Sequence, residues 1–260
     1  MYQNYIFDLY GTLVDIRTNE NSPYLWRKMG EFYSALGAVY TARELKAEYR
    51  RLVEAAMNMA GKAAEPAENV TETAEETVNK ALKEEHIEPD LTEVFAELYR
   101  QRGVACDRNQ ARMTAIMFRT LSRSKLCLYD GVTDFLEKLK AKGKGVYLLS
   151  NAQEDFTRPE IDMLGLEKYF DGIFISSEQG VKKPSPLFYK KLLEKYGLDL
   201  AASVMIGNDA EADIRGAQAV GLSTLYIHTA ISPELKGEVN ADYLVMDGDF
   251  RKIEKLILKD

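Results

Sequence analysis

Residues 203–228, SVMIGNDAEADIRGAQAVGLSTLYIH, decide the fold. SVMIGND (203–209) and STLYIH (223–228) are short apolar runs that read as strands, and EADIRGAQAVG between them reads as a helix. Strand, helix and strand in that order make a βαβ unit with parallel strands. Working outward, the alternation continues on both sides. GVYLLSN (145–151), GIFISS (172–177) and ADYLVM (241–246) are further strand candidates, while VTDFLEKLKAKG (132–143) and LFYKKLLEKYG (187–197) are helical. Strands apolar throughout suit a sheet covered by helices on both faces.

One strand stands apart. Tyr5–Tyr10, YIFDLY, is a short apolar run closed by Gly11 and Thr12, and about a hundred residues of different character follow it. From about Pro23 to Arg123 the chain is rich in Ala, Glu, Leu, Lys and Arg, and LWRKMGEFYSALGA, ARELKAEYRRLVEAAMNMA and LTEVFAELYRQRG carry apolar residues at helical spacing. Gly61–Pro89 is Ala/Glu-rich and acidic and reads as helix with a flexible lead-in. The economical solution is an α/β protein: a Rossmann-like, doubly wound, mostly parallel sheet core built from residues 1–15 and 125–260. The helical block 16–124 is then an inserted second domain.

Composition narrows the function classes. Of 260 residues, 46% are hydrophobic and 29% charged, a globular balance. The formal net charge of −7 argues against nonspecific nucleic-acid binding, which depends on Lys and Arg neutralising phosphates. Cys106 and Cys127 show no metal-site spacing and suit a reducing compartment. No run approaches the roughly 18 apolar residues needed to cross a bilayer. The expectation is a cytoplasmic protein with a small-molecule partner and no membrane association.

Ligands of open α/β sheets bind beyond the carboxyl ends of the strands. Reading only those positions collects Asp8, Ser150, Asn151, Asn208 and Asp209, with Lys183 in the loop GVKKPSPLFY and Asp213 opening the next helix. Carboxylates, a hydroxyl and a cation gathered from remote parts of a chain look like an active site.

These residues carry a family resemblance. FDLYGTLVD, LLSN, GVKKPSPLFY and IGNDAEADIRGA resemble, in order, the four motifs of the haloacid dehalogenase-like (HAD) hydrolases. The resemblance covers both ends of the chain and implies that the helical block is the family's cap, inserted between the first two motifs. It implies Asp8 as covalent nucleophile and Lys183, the lysine directly before the proline, as the cation that neutralises Asp8 and substrate charge. Thr12, Ser150 and the Asn151 backbone N–H would bind substrate oxygens. Asp8, Asp209 and Asp213, with the Tyr10 backbone carbonyl, would offer the hard oxygens that Mg²⁺ prefers. Asp213 has an alternative role as a helix cap.

The pattern departs at Tyr10. Phosphatases of the superfamily usually carry a second Asp there, which protonates the leaving alkoxide and then activates water. A phenol with a pKa of about 10 is a poor replacement. D-x-Y-G-T instead resembles the first motif of the 2-haloacid dehalogenases, where halide leaves without a proton and an Arg from the cap receives it. Arg27 is a candidate for that role, with an ordinary surface arginine as the alternative. Those enzymes lack the acidic pair Asp209 and Asp213, which weighs toward a Mg²⁺-dependent phosphohydrolase acting on a small phosphorylated molecule through an aspartyl-phosphate. The alternatives are a carbon–halogen hydrolase using Asp8 and Tyr10, also a substrate-binding residue, and a noncatalytic ligand-binding member of the fold. Asp15 is a possible substitute acid or part of the hinge into the cap, and Asp15–Pro23 and Arg123–Tyr129 are expected to be mobile connections.

Overall fold

A computed structural model describes residues 2–62 and 86–258. The chain runs β1 (Asn4–Phe7), β2 (Val14–Thr18), α1 (Pro23–Ala35), α2 (Ala42–Lys62), α3 (Leu91–Arg100), α4 (Arg108–Ser122), β3 (Arg123–Leu128) and α5 (Val132–Ala141). It continues with β4 (Gly145–Ser150), α6 (Glu154–Met163), β5 (Gly172–Ile175), α7 (Pro186–Tyr196), β6 (Ser203–Gly207), β7 (Ser223–Ile227), β8 (Tyr243–Val245) and α8 (Phe250–Ile257). The acidic stretch expected to be helical falls largely on residues 63–85, outside the described residues.

Six strands form one sheet in the order β5-β4-β1-β6-β7-β8, and every pair is parallel. The first strand of the chain therefore lies in the middle of the sheet. The path steps outward from β1 to β4 and β5, then crosses to β6, β7 and β8 on the other side. Strand order reverses around β1, and this is where open sheets leave a crevice at their carboxyl ends. All the strand candidates read from the sequence are strands.

Period-two alternation divides the sheet's side chains between two cores. Tyr5, Phe7, Val146, Leu148, Val204 and Ile206 face α5 and α8, packing on Phe135, Leu139, Phe250 and Ile253. Ile6, Leu149 and Met205 face the other way onto Phe188, Tyr189 and Leu192 of α7. Both faces are covered, which explains why these strands are apolar throughout.

Helices α1–α4 gather around a third core containing Trp26, Tyr33, Tyr49, Phe95 and Phe118. Trp26 and Tyr33 are buried there as structural residues, and Phe32 is half-buried. Asp90 and Asp107 cap α3 and α4, accepting from Thr92 N and Gln110 N. Phe156 of α6 reaches into this core from the sheet side, stacking at 6.2 Å on Phe118.

The two connections between the helical block and the sheet run side by side as β2 and β3, which pair antiparallel with Val14 opposite Leu128 and Asp15 opposite Cys127. The two segments leave the sheet side by side, so pairing satisfies their backbone groups while Val14, Ile16, Leu126 and Leu128 pack against the sheet's core. The divisions after residues 15 and 124 fall within this ribbon. No helix among the described residues is long and apolar enough to cross a membrane.

Candidate active site

Asp8 is the first residue past β1. Its N–H still donates to Ile206 O at 3.0 Å, extending the ladder and directing the side chain out of the carboxyl end of the sheet. The chain then turns tightly, with Leu9 O accepting from the backbone of Leu13 and Val14 at 2.9 Å each. Gly11 has φ +91, and a Cβ there would lie 2.3 Å from Asn208 Nδ2, so only glycine fits. The turn returns Thr12, fully buried, toward Asp8: its hydroxyl lies 3.1 Å from Asp8 Oδ2 and 3.3 Å from Asn208 Oδ1.

Lys183 is 3% exposed, and its ammonium donates to Asp8 Oδ1, Asp213 Oδ1 and Leu149 O, each at 2.8 Å. Three acceptors match the three N–H groups of a lysine, so the buried charge is fully satisfied. Burial alone would lower the Lys183 pKa, but Asp213 and Asp8 outweigh it and hold it raised. Burial pushes the Asp213 carboxyl up, Lys183 opposes this and Asp8 adds to it. Gly207 makes that burial possible, because a Cβ at this position would lie 2.2 Å from Asp213 Cγ.

Asn151 sets the lysine's backbone: its side chain donates to Lys183 O at 2.9 Å and accepts from Lys183 N at 2.8 Å. Ser150 ends β4 fully buried, and its hydroxyl has no partner. A buried orphan hydroxyl of this kind is costly unless a bound group satisfies it.

The acidic pair divides its work. Asp209 Oδ1 accepts from Glu211 N and Ala212 N at 2.9 Å, capping the helical turn Ala210–Arg215. The capping role considered for Asp213 belongs to Asp209, while Asp213 turns inward with Oδ2 accepting Asp209 N at 2.9 Å. Asp8 and Asp213 share one cation, leaving net negative charge beside the half-exposed Asp209. Hard oxygen donors with residual negative charge fit Mg²⁺ by their chemistry. Among the described residues no three carboxylate, imidazole or thiol groups are gathered tightly enough to form an ion cage.

Tyr10 faces the helical block. Its hydroxyl donates to Glu160 of α6 and lies 3.2 Å from Thr157 Oγ1, and the Arg119 guanidinium of α4 lies 5.4 Å from its ring centre. Burial first, and Glu160 second, push the phenol well above its ordinary pKa, so it stays protonated. Glu160, 1% exposed, also accepts from Arg119 at 2.7 Å and from Arg123 at 2.7 Å. Arg27 is exposed, with its guanidinium 5.6 Å from the Tyr24 ring centre, and takes no part in this cluster.

The structure thus brings Asp8, Thr12, Lys183 and Asp213 into direct contact and sets Ser150, Asn151 and Asp209 around them. Sequence reading collected Asn208 among the strand-end residues but gave it no role; the structure places its side chain against Gly11 and the Thr12 hydroxyl. Sequence reading missed Arg119 and Glu160 because their pairing joins elements 41 residues apart with no motif.

A family model for haloacid dehalogenase-like hydrolases matches residues 2–221. The phosphoserine phosphatase of Thermus thermophilus is 28% identical over 165 residues, 64% of this chain and 64% of that protein. The ribulose-1,5-bisphosphate 5-phosphatase of Halopiger xanaduensis is 32% identical over 101 residues, 39% of this chain and 42% of its relative. The chain therefore spans less than two thirds of these relatives' length. A 2-haloacid dehalogenase from Pseudomonas syringae superposes with a TM-score of 0.62 at 18% identity, covering 99% of both chains. A HAD phosphatase from Thermococcus onnurineus superposes at 0.56 and 15% identity, covering 98% of this chain and 97% of that one. At such identities these superpositions establish the fold alone.

Proposed function

Because the chain belongs to the haloacid dehalogenase-like hydrolases, we propose that it is a Mg²⁺-dependent phosphohydrolase acting through Asp8 on a small phosphorylated metabolite in the cytoplasm. The observation that supports this most is the buried Lys183 ammonium held 2.8 Å from both Asp8 and Asp213 at the carboxyl end of the sheet. We assign residues 16–124 as the cap and 1–15 with 125–260 as the catalytic core.

The Asp8 carboxylate forms a bond to phosphorus as the bond to the leaving oxygen breaks, giving an aspartyl-phosphate. Lys183 holds the nucleophile in place and offsets phosphoryl charge. Thr12, the unpartnered Ser150 hydroxyl and the Asn151 N–H bind the equatorial oxygens. Mg²⁺, held by Asp8 and Asp209 with the Tyr10 carbonyl and backed by Asp213, would screen repulsion between carboxylate and phosphate. Water then cleaves the acyl phosphate and restores Asp8.

No carboxyl group occupies position 10, and the Tyr10 phenol is tied to Glu160. The leaving oxygen must therefore depart with little proton assistance, which selects acyl and aryl phosphates over alkyl ones. The second reading, carbon–halogen hydrolysis, is favoured by Tyr10 itself at this position.

Hydrolysis of p-nitrophenyl phosphate, measured with Mg²⁺ and with EDTA and with Asp8→Asn as the blank, tests the proposal. Mg²⁺-dependent turnover abolished in the variant is the expected result. Metal-independent chloride release from 2-chloropropionate, without phosphatase activity, establishes the second reading instead. Turnover of neither substrate leaves a binding role.

A further inference from the structure

Lys183 sits in the loop between β5 and α7, and two separate grips hold that loop. Asn151 brackets the lysine's own backbone. The second grip comes from the helical block. Ile87 and Val181, both buried, meet in an antiparallel bridge, with Lys182 N donating to His86 O at 2.9 Å and Glu88 N to Gly180 O at 3.4 Å. The bridge ends one residue before Lys183, so residues 86–88 fix the chain on one side of it and Asn151 fixes the lysine itself.

Gln153 joins the two grips. It lies two residues past Asn151 and is 8% exposed. Its amide nitrogen donates to Glu88 Oε1 and to Pro89 O at 2.9 Å each, and its oxygen accepts from Leu91 N at 2.8 Å. Both N–H groups and the oxygen of this side chain are therefore engaged by residues 88–91 of the helical block. Glu88, its side chain 13% exposed, also lies 3.5 Å from Lys182 Nζ. Ala152, between Asn151 and Gln153, donates its N–H to Ser176 Oγ at 2.8 Å, which ties this strand end to the segment leading into the Lys183 loop. A closed ring of hydrogen bonds thus surrounds the lysine. Its three bonds of 2.8 Å leave the ammonium little slack, and a loop displaced by about 1 Å carries it out of range of at least one acceptor.

We propose that Gln153 and Glu88 are positioning residues: they hold the Lys183 loop against the helical block and act on turnover through the lysine's ammonium. The effect on turnover rests on the phosphohydrolase reading, whereas the effect on Lys183 does not.

The test uses the whole chain carrying Gln153→Met, which keeps side-chain length and removes the three hydrogen bonds, or Glu88→Ala, which leaves the bonds of Gln153 to Pro89 and Leu91. With p-nitrophenyl phosphate and Mg²⁺, Gln153→Met lowers kcat on the order of tenfold and changes KM by less than about twofold, because small misplacements weaken the chemical step. Glu88→Ala moves in the same direction. Glu88→Gln, whose amide oxygen still accepts from Gln153, restores turnover to near the wild-type level. In a Lys183→Met background Gln153→Met costs nothing further, as expected of residues acting through one group. An equal loss in that background, or Glu88→Gln as slow as Glu88→Ala, overturns the proposal. Brief acylation with acetic anhydride, mapped by peptide mass spectrometry, reads the lysine directly. Lys183 labels about fivefold faster or more in Gln153→Met and Glu88→Ala than in the wild type, while the exposed Lys236 is unchanged. Unchanged labelling of Lys183 in both variants overturns the proposal. Faster labelling in a chain that hydrolyses no phosphate ester upholds the positioning of Lys183 and refutes the phosphohydrolase reading alone.

Discussion

Glu160 offers the sharpest test of how the cap is held to the core. It lies on α6 of the core, 1% exposed, and accepts from Tyr10 of the core, from Arg119 of α4 at 2.7 and 3.2 Å and from Arg123 at 2.7 Å. The two guanidinium groups are only 14% and 13% exposed. Glu160→Gln keeps the volume and removes the charge, leaving two arginines without their counterion. Breaking a buried ion pair from one side costs about 3–5 kcal/mol, and the slight solvent access of the arginines places this case near 3. Asp155, in contrast, pairs with Arg108 and Arg112, whose side chains are 52% and 48% exposed, so Arg112→Ala loses under about 1 kcal/mol. Burial raises the Glu160 pKa, but the hydrogen bonds and charge of Arg119, with Tyr10 and Arg123, lower it further, so the folded value lies below the unfolded one. The stabilisation is therefore fully present above the unfolded carboxyl pKa of about 4.3 and is lost as pH falls through the lower folded value. Equilibrium urea unfolding at neutral and acidic pH measures both effects. A neutral-pH loss under about 1 kcal/mol for Glu160→Gln would show that the cap docks through apolar contact around Phe156, and the ion cluster would then carry no weight.

Other outcomes follow from the active-site geometry. Lys183→Met leaves Asp8 and Asp213 as two buried carboxylates without a cation, so kcat falls on the order of 10³-fold and thermal stability drops with it. Gly207→Ala would place a methyl 2.2 Å from Asp213 Cγ, and the displaced carboxylate lowers the melting temperature along with turnover; activity at the wild-type level removes the close-approach argument. Asp209→Asn keeps an acceptor for Glu211 N and Ala212 N while removing the charge. Stability then changes by less than about 0.5 kcal/mol, and the Mg²⁺ concentration for half-maximal turnover rises; an unchanged Mg²⁺ requirement would limit Asp209 to capping.

Much of the fold was legible because short apolar strands alternating with amphipathic helices leave few arrangements. The pairing of β2 with β3 was not. Val14–Thr18 and Arg123–Leu128 mix charged and apolar residues and lie 105 residues apart at their closest register shown, Thr18 to Arg123. Nothing local announces that they meet. Tyr10 was noticed as a departure from the phosphatase pattern, yet its partner Glu160 was invisible, since a lone Glu on a helix ordinarily faces water.

Periodicity and chain order are local properties, and they carry the parallel sheet, the insertion of a helical block and the residue types at the strand ends. How those residues share their charges is a matter of packing. Lys183 saturates its donors on Asp8, Asp213 and Leu149, Asp209 caps while Asp213 turns inward, and Tyr10 belongs to an arginine–glutamate cluster at the cap. Charge sharing depends on distances of a few ångströms and on burial from water, and neither quantity exists until remote segments have packed together.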